Sequence, residues 1–282
     1  MLSAPAPAPA ASATCSALLG GSYGRLARVC EALRVTVANA SEPAEGWVTV
    51  EELMSRPELL DAFVDAEAAR IRAATGGAAR RDVAASRVLH HYLWTVCLLL
   101  SGPWYLERRV PRLSPSAVHI QVRTADFAVV PGGFACLPDD PAATTAGTLL
   151  IADEKALRAE LRAAAVEHAH PMLTALAPQL RRGQRPLWGM VGDDLVSGIW
   201  YLGRMLGEEA RAVRAATELL PGPLAPFPGG ADFRTLHEST GQPHLTRTRI
   251  GCCLYYAIRP DAACLTCPRT SDAERLRRLT GC

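Results

Sequence analysis

Four cysteines close to the C-terminus, Cys252, Cys253, Cys264 and Cys267, are the residues whose type and spacing speak most directly of chemistry. An adjacent pair is followed, after ten residues, by a Cys-x-x-Cys pair. Thiolates gathered this closely bind soft metals or iron–sulfur clusters. Four suffice for a 2Fe-2S or 4Fe-4S unit; the same number would hold a structural zinc, although an adjacent pair is unusual for zinc. Successive side chains of an extended strand point to opposite faces, so Cys252 and Cys253 require a local bend to serve one group. Pro268 fixes the chain just beyond the second pair.

The other five cysteines, at 15, 30, 97, 136 and 282, carry no ligand spacing. An odd total in a 282-residue chain does not describe a secreted disulfide framework. The formal net charge is +2 and Lys155 is the single lysine, which argues against nucleic acid as the main partner. Met1 to Ala13 is rich in Ala and Pro without a basic residue, and lacks the anatomy of a signal peptide. It reads as a disordered tail through residue 20. The most apolar stretch, Val88 to Leu100, contains His90 and His91 and is far shorter than the roughly 20 residues that cross a bilayer. No membrane span and a cytoplasmic location are therefore expected.

The elements that must position the thiols read as mainly helical. Leu26, Val29, Leu33 and Val37 predict a helix over 22–37. Ser55, Pro57 and Glu58 predict the start of a second helix, a capping box included, which Gly76-Gly77 ends. Residues 80–101 predict a central buried helix stopped by Gly102-Pro103. At Val118, Ile120 and Val122 the period changes to two, a strand, with 127–130 as its partner. Asp153 caps a helix carrying Leu157, Leu161 and His168, and Pro171 begins the next. Residues 187–219 show the clearest helical period, despite Gly189, Gly192, Gly198 and Gly203; burial of tryptophans offsets those glycines, or they admit a close neighbour. Pro221 to Gly230 reads as a linker. The fold class expected is α+β: mainly helical, one small antiparallel sheet, and a C-terminal cysteine-rich segment that binds a cluster. Its organisation is a tail (1–20), a helical body with a substrate pocket (21–220), and a linker with the cluster-binding segment (221–282).

The run Arg247-Thr-Arg249-Ile-Gly-Cys252-Cys253-Leu-Tyr-Tyr256, followed by Cys264-Leu-Thr-Cys267-Pro268, resembles the C-terminal signature of the FhuF-like ferric siderophore reductases. The stretch Pro186-Leu-Trp188-Gly189 resembles the helix that precedes the signature in related proteins. The resemblance implies a 2Fe-2S cluster on Cys252, Cys253, Cys264 and Cys267, and one-electron reduction of a ferric siderophore that releases Fe(II). Relatives often carry Gly within the second cysteine loop, where this chain has Leu265-Thr266. With no flavin or nicotinamide motif evident, electrons are expected from a separate donor such as a ferredoxin or a flavin reductase. Arg247, Arg249, Tyr256 and His119 are the candidate substrate contacts. His90, His91, Trp188 and Trp200 are candidates for the walls around cluster or pocket. The alternative is a non-enzymatic protein, an iron–sulfur sensor or a zinc-stapled binding module.

Overall fold

The structure, a computed structural model, describes residues 13–31, 33–38 and 45–280. Along the chain run helix α1 (Ala13–Val29), strands β1 (Val35–Val37) and β2 (Trp47–Thr49), and helices α2 (Val50–Ser55), α3 (Pro57–Thr75) and α4 (Arg81–Glu107). Five short strands follow: β3 (Val110–Pro111), β4 (Val118–Gln121), β5 (Phe127–Val129), β6 (Phe134–Cys136) and β7 (Thr148–Leu150). Helices α5 (Glu154–Leu180), α6 (Gln184–Met205) and α7 (Glu209–Leu219), the hairpin β8 (Phe233–His237) with β9 (Pro243–Arg247), and helix α8 (Asp272–Thr280) complete the described chain.

Helix α4 is the axis because its C-terminal half has no polar face to give to solvent. From Thr95 to Tyr105 every side chain is buried, and α1, α3, α5 and α6 all pack on it. Its length and composition would also suit a membrane span, but 78 % of that apolar window is buried by the other helices. It runs straight through Gly102-Pro103, which local rules make a stop. Pro removes a hydrogen bond, but burial on every side outweighs that loss. Gly102 instead makes room for α1: a Cβ there would stand 2.7 Å from Leu26 Cδ2. Helix α5 continues through Pro171 and Pro178 where two helices were expected; Leu161, Ala165, His168, Met172, Leu176 and Leu180 form one unbroken buried stripe that anchors it.

The predicted strand pair is present. Val118 faces Val129 and Ile120 faces Phe127 in antiparallel register, with the even-numbered positions of β4 buried. The expected single sheet is larger and has company. It is four-stranded, in the order β1-β5-β4-β2, and three-stranded and two-stranded sheets accompany it. Strand β1 lies inside the segment expected to be helical, where Val35 and Val37 pair parallel to β5. That first helix starts earlier, at Ala13, so residues 13–20 are not a tail; residues 1–12 lie outside the described residues. The capping box forms six residues before its expected place, between Thr49 and Glu52 at the start of α2, and Arg56 rather than Ser55 precedes α3. Gly207, in the left-handed region at φ 71°, separates α6 from α7.

The stretch 221–230 is packed rather than slack. Phe227 and Ala231 are buried, Leu224 and Phe227 exchange backbone hydrogen bonds of 3.1 and 2.7 Å, and Phe227 sits edge-on to Trp188. An aromatic with a helix groove to fill overrides the flexibility that surrounding Pro and Gly suggest.

Candidate metal centre

Two adjacent carboxylates on α6 hold the cysteine segment in place. Asp193 and Asp194 are both buried, and a buried carboxylate persists only with partners. Asp193 Oδ1 accepts from Arg247 Nη2 at 2.8 Å, and its Oδ2 accepts from the backbone amides of Ile250 (2.9 Å) and Gly251 (2.6 Å). Burial works to raise its pKa; Arg247, Arg249 and the Gly251 amide work to lower it. Arg247 also donates to Ala231 O, Asp193 O and Ser197 Oγ. Asp194 accepts from Arg249 Nη2 at 3.2 Å and meets His90 Nδ1 at 2.8 Å. The turn that precedes Cys252 is therefore bolted to α6 through one carboxylate and to α4 through the other.

Contact between backbones makes that possible. A Cβ on Gly251 would lie 2.5 Å from Met190 Cα, and one on Gly189 would lie 2.6 Å from Ile250 Cγ2. Of the four α6 glycines, Gly189 thus admits the cysteine segment, whereas Gly192 faces Phe227, Gly198 faces Leu98 and Gly203 faces Ala212. Beyond it, Leu254 adopts a left-handed conformation at φ 63° and its amide donates to Cys252 Sγ at 3.4 Å. This bend lets the two adjacent thiols line one cavity.

All four thiols line one cavity of about 100 Å³, with Tyr255, Tyr256 and Pro268 among its other walls. Among the described residues no three His, Cys, Asp or Glu groups stand at the spacing of a single ion. Soft sulfur donors converging on one cavity fit an iron–sulfur cluster. Burial pushes the Cys252 thiol up to about 11, with Cys267 and Cys253 adding to the rise and the Leu254 amide and Arg182 opposing it. Burial also raises Cys264. Deprotonating such thiols is work that a bound metal must do, so loading releases protons.

Cationic side chains gather around the thiols. Arg87 Nη1 reaches Cys253 Sγ at 4.0 Å and its guanidinium lies 4.6 Å over the Tyr255 ring. Arg182 donates to Cys252 O and Arg275 to Cys267 O. Burial opposes the charge of Arg249, but Asp194, Asp193, Cys264 and Cys253 together raise its pKa. Positive charge at this range stabilises a reduced cluster and raises its potential.

A second cavity, of about 660 Å³, opens beside the first, and Arg87, His90, Arg249 and Cys264 line both. Two helix stripes form its floor: Arg87, His90, His91 and Trp94 on α4, and Ser197, Trp200, Tyr201 and Arg204 on α6. Each stripe has the i, i+3, i+4, i+7 spacing of one helical face. Strand β9, through His244 to Thr246, and the Cys264–Thr266 loop form the wall.

The structure separates the expected contacts. Cys252, Cys253, Cys264 and Cys267 come together, with Tyr256 and Arg249 on the same cavity. Arg247 is 0 % exposed and committed to Asp193, so it braces the segment and has no surface to offer a substrate. His119 sits in β4 opposite Thr49, among the residues of neither cavity. His90, His91 and Trp200 line the large cavity, whereas Trp188 packs against His170 and Phe227 outside both. Sequence reasoning missed Asp193, Asp194, Arg87 and Arg182. The signal available was an acidic pair within an otherwise apolar and glycine-rich helix.

Residues 249–269 match the FhuF 2Fe-2S C-terminal domain. The match spans all four cysteines and Tyr256, begins on Arg249, and identifies the segment's cofactor as a 2Fe-2S cluster. No curated protein matches the chain.

Proposed function

We propose that the protein is a cytoplasmic ferric siderophore reductase, in which Cys252, Cys253, Cys264 and Cys267 hold the 2Fe-2S cluster and the adjoining cavity of about 660 Å³ receives the ferric chelate. The observation that carries this reading is the shared wall: a substrate in the large cavity would lie against Cys264, Arg249, His90 and Arg87, side chains that also bound the cysteine cavity. When bound, the cluster supplies one electron at a time, delivered to it by a separate donor such as a ferredoxin or flavin reductase. Siderophores grip Fe(III) through hard oxygens and Fe(II) far more weakly, so one electron suffices to free the metal.

The chain's own residues do the rest. Trp94, Trp200 and Tyr201 provide an aromatic bed for the chelate. His90 is held by Asp194 through Nδ1, which leaves Nε2 to face solvent or substrate. Arg87, Arg182 and Arg249 offset the negative charge of the thiolates.

The test starts from anaerobically purified full-length protein. About two irons and two sulfides per chain, with a red-brown colour bleached by dithionite, are expected. Cys253→Ser and Cys267→Ser should each abolish the iron content. A colourless protein carrying one zinc would sink the proposal. The reduced protein, mixed with ferric siderophores and a ferrous trap, should then release Fe(II); iron and sulfide without release from any chelate favours the sensor alternative.

A further inference from the structure

Resting on the reading that the large cavity receives a ferric chelate, we infer that it selects chelates of net negative charge, and that Arg204 and Arg87 read that charge. Three guanidinium groups line it, those of Arg87, Arg204 and Arg249, against the single carboxylate of Glu209. Glu209 accepts the Trp200 indole N–H at 2.8 Å and lies 3.9 Å from Arg204, beyond hydrogen-bond distance.

The carboxylates behind the wall draw on two of these arginines, Arg249 and Arg87, which leaves the half-exposed Arg204 as the cation most open to a ligand. Asp193 and Asp194 face Arg247, Arg249 and His90. Glu67 accepts from Arg70 at 2.9 Å and stands 3.5 Å from Arg87. Glu238 is engaged by His244 at 2.5 Å. On the far side of the thiols, Arg182 and Arg275 hold the carbonyls of Cys252 and Cys267. The Nε atoms of Arg87 and Arg249 are buried and their only close acceptors are carboxylates at long range, Glu67 at 3.5 Å and Asp193 at 3.7 Å, so neither is fully satisfied from within the described residues. Charge-assisted hydrogen bonds from guanidinium groups that line the cavity would favour an anionic oxygen within it.

Arg204 lies at the rim with its side chain half exposed and its guanidinium 5.7 Å from the Trp200 ring centroid. It therefore presents charge and an aromatic face together. The volume, about 660 Å³, suits a chelate of drug-like size. Two oxygen chemistries carry negative charge around ferric iron, aryl oxides and carboxylates, and the guanidinium groups would recognise either.

Gallium(III) chelates test the selection apart from reduction, because gallium has the charge of ferric iron and is not reduced. Full-length protein is titrated with three gallium complexes: a trianionic tripodal triscatecholate, an anionic citrate-based mixed hydroxamate, and a neutral trishydroxamate. Quenching of tryptophan fluorescence is followed, since Trp94 and Trp200 line the cavity. At low salt at least one anionic complex should bind about tenfold more tightly than the neutral one, and the gap should close toward about 1 M salt. Whichever anionic complex binds better identifies the oxygen chemistry. Arg204→Gln should weaken anionic binding about fivefold, the worth of one partly exposed ion pair, and leave neutral binding unchanged. Equal or tighter binding of the neutral complex, an equal loss for both in Arg204→Gln, or no binding at all overturns the inference. Release of Fe(II) from neutral ferric chelates without any anionic preference would leave the reductase reading standing and remove only this one; anionic selection without Fe(II) release would do the reverse.

Discussion

Asp193 sits on a helix whose neighbours are apolar, yet both of its oxygens are spent on the turn that precedes Cys252. A carboxylate in that position makes Arg247 affordable in the interior, and removing its charge leaves a guanidinium buried without its counter-ion. Asp193→Asn should cost about 3–5 kcal/mol of stability, read from urea denaturation, and the variant should lose iron faster to a chelator. A loss under about 1 kcal/mol would mean that the pair does not hold the segment. The four thiols and Arg249 were legible in the sequence because their spacing is local. Arg247 was legible as an arginine but not in its role: nothing in its neighbourhood along the chain says that it points inward. His119 shows the same gap, since alternation places it on the less buried face of β4 without saying what lies beyond that face.

At the scale of elements, helix α6 and the 250–251 backbone touch through two glycines. An added methyl on Gly189 meets Ile250 Cγ2, which can turn away, and its Cβ at 2.8 Å, which cannot; on Gly251 it meets Met190 Cα, N and Cβ, none of which can turn away. Gly251→Ala should therefore cost about 1–3 kcal/mol and lower the iron retained per chain, with Gly189→Ala the milder of the two. Iron content and thermal midpoints of both variants check the order; equal effects would refute it. The helices themselves were visible as periodicity, and their ends were not. Gly102-Pro103 and Pro171 look like stops because a lone helix would end there, and both helices continue because tertiary packing holds them, α4 buried all round at that point and α5 along one unbroken stripe. The α4 and α6 stripes that floor the large cavity were each present at helical spacing. That they face one another is a matter of packing.

For the molecule as a whole, His168 offers a measure of cohesion, since it joins α4, α5 and the loop before β4. Its Nε2 donates to Leu113 O at 2.8 Å while Tyr92 Oη donates to Nδ1 at 3.1 Å, so the neutral ring is satisfied on both sides. Burial pushes its pKa down from 6.5 to about 4, the bond to Leu113 opposing the drop. Between those values the unfolded chain binds the proton and the folded chain does not, so stability rises with pH across the interval and levels off above it. The contribution fully present above pH 6.5 is about 3 kcal/mol. Denaturation of wild type and His168→Gln between pH 4 and pH 7 should show that slope in the first and lose it in the second.

The sequence by itself determined the four-cysteine pattern, the 2Fe-2S domain it marks, the central helix and the β4–β5 pair, because each depends on residues close in the chain or on a period that one element imposes. Only the tertiary structure decided which charges the thiols face, that the Pro/Gly stretch is packed, and that a cavity shares a wall with the cysteines. Asp193 and Arg247 lie 54 positions apart, Arg87 and Cys253 166 apart. No local rule orients side chains across such separations; burial does, by forcing each charge it encloses to find a partner.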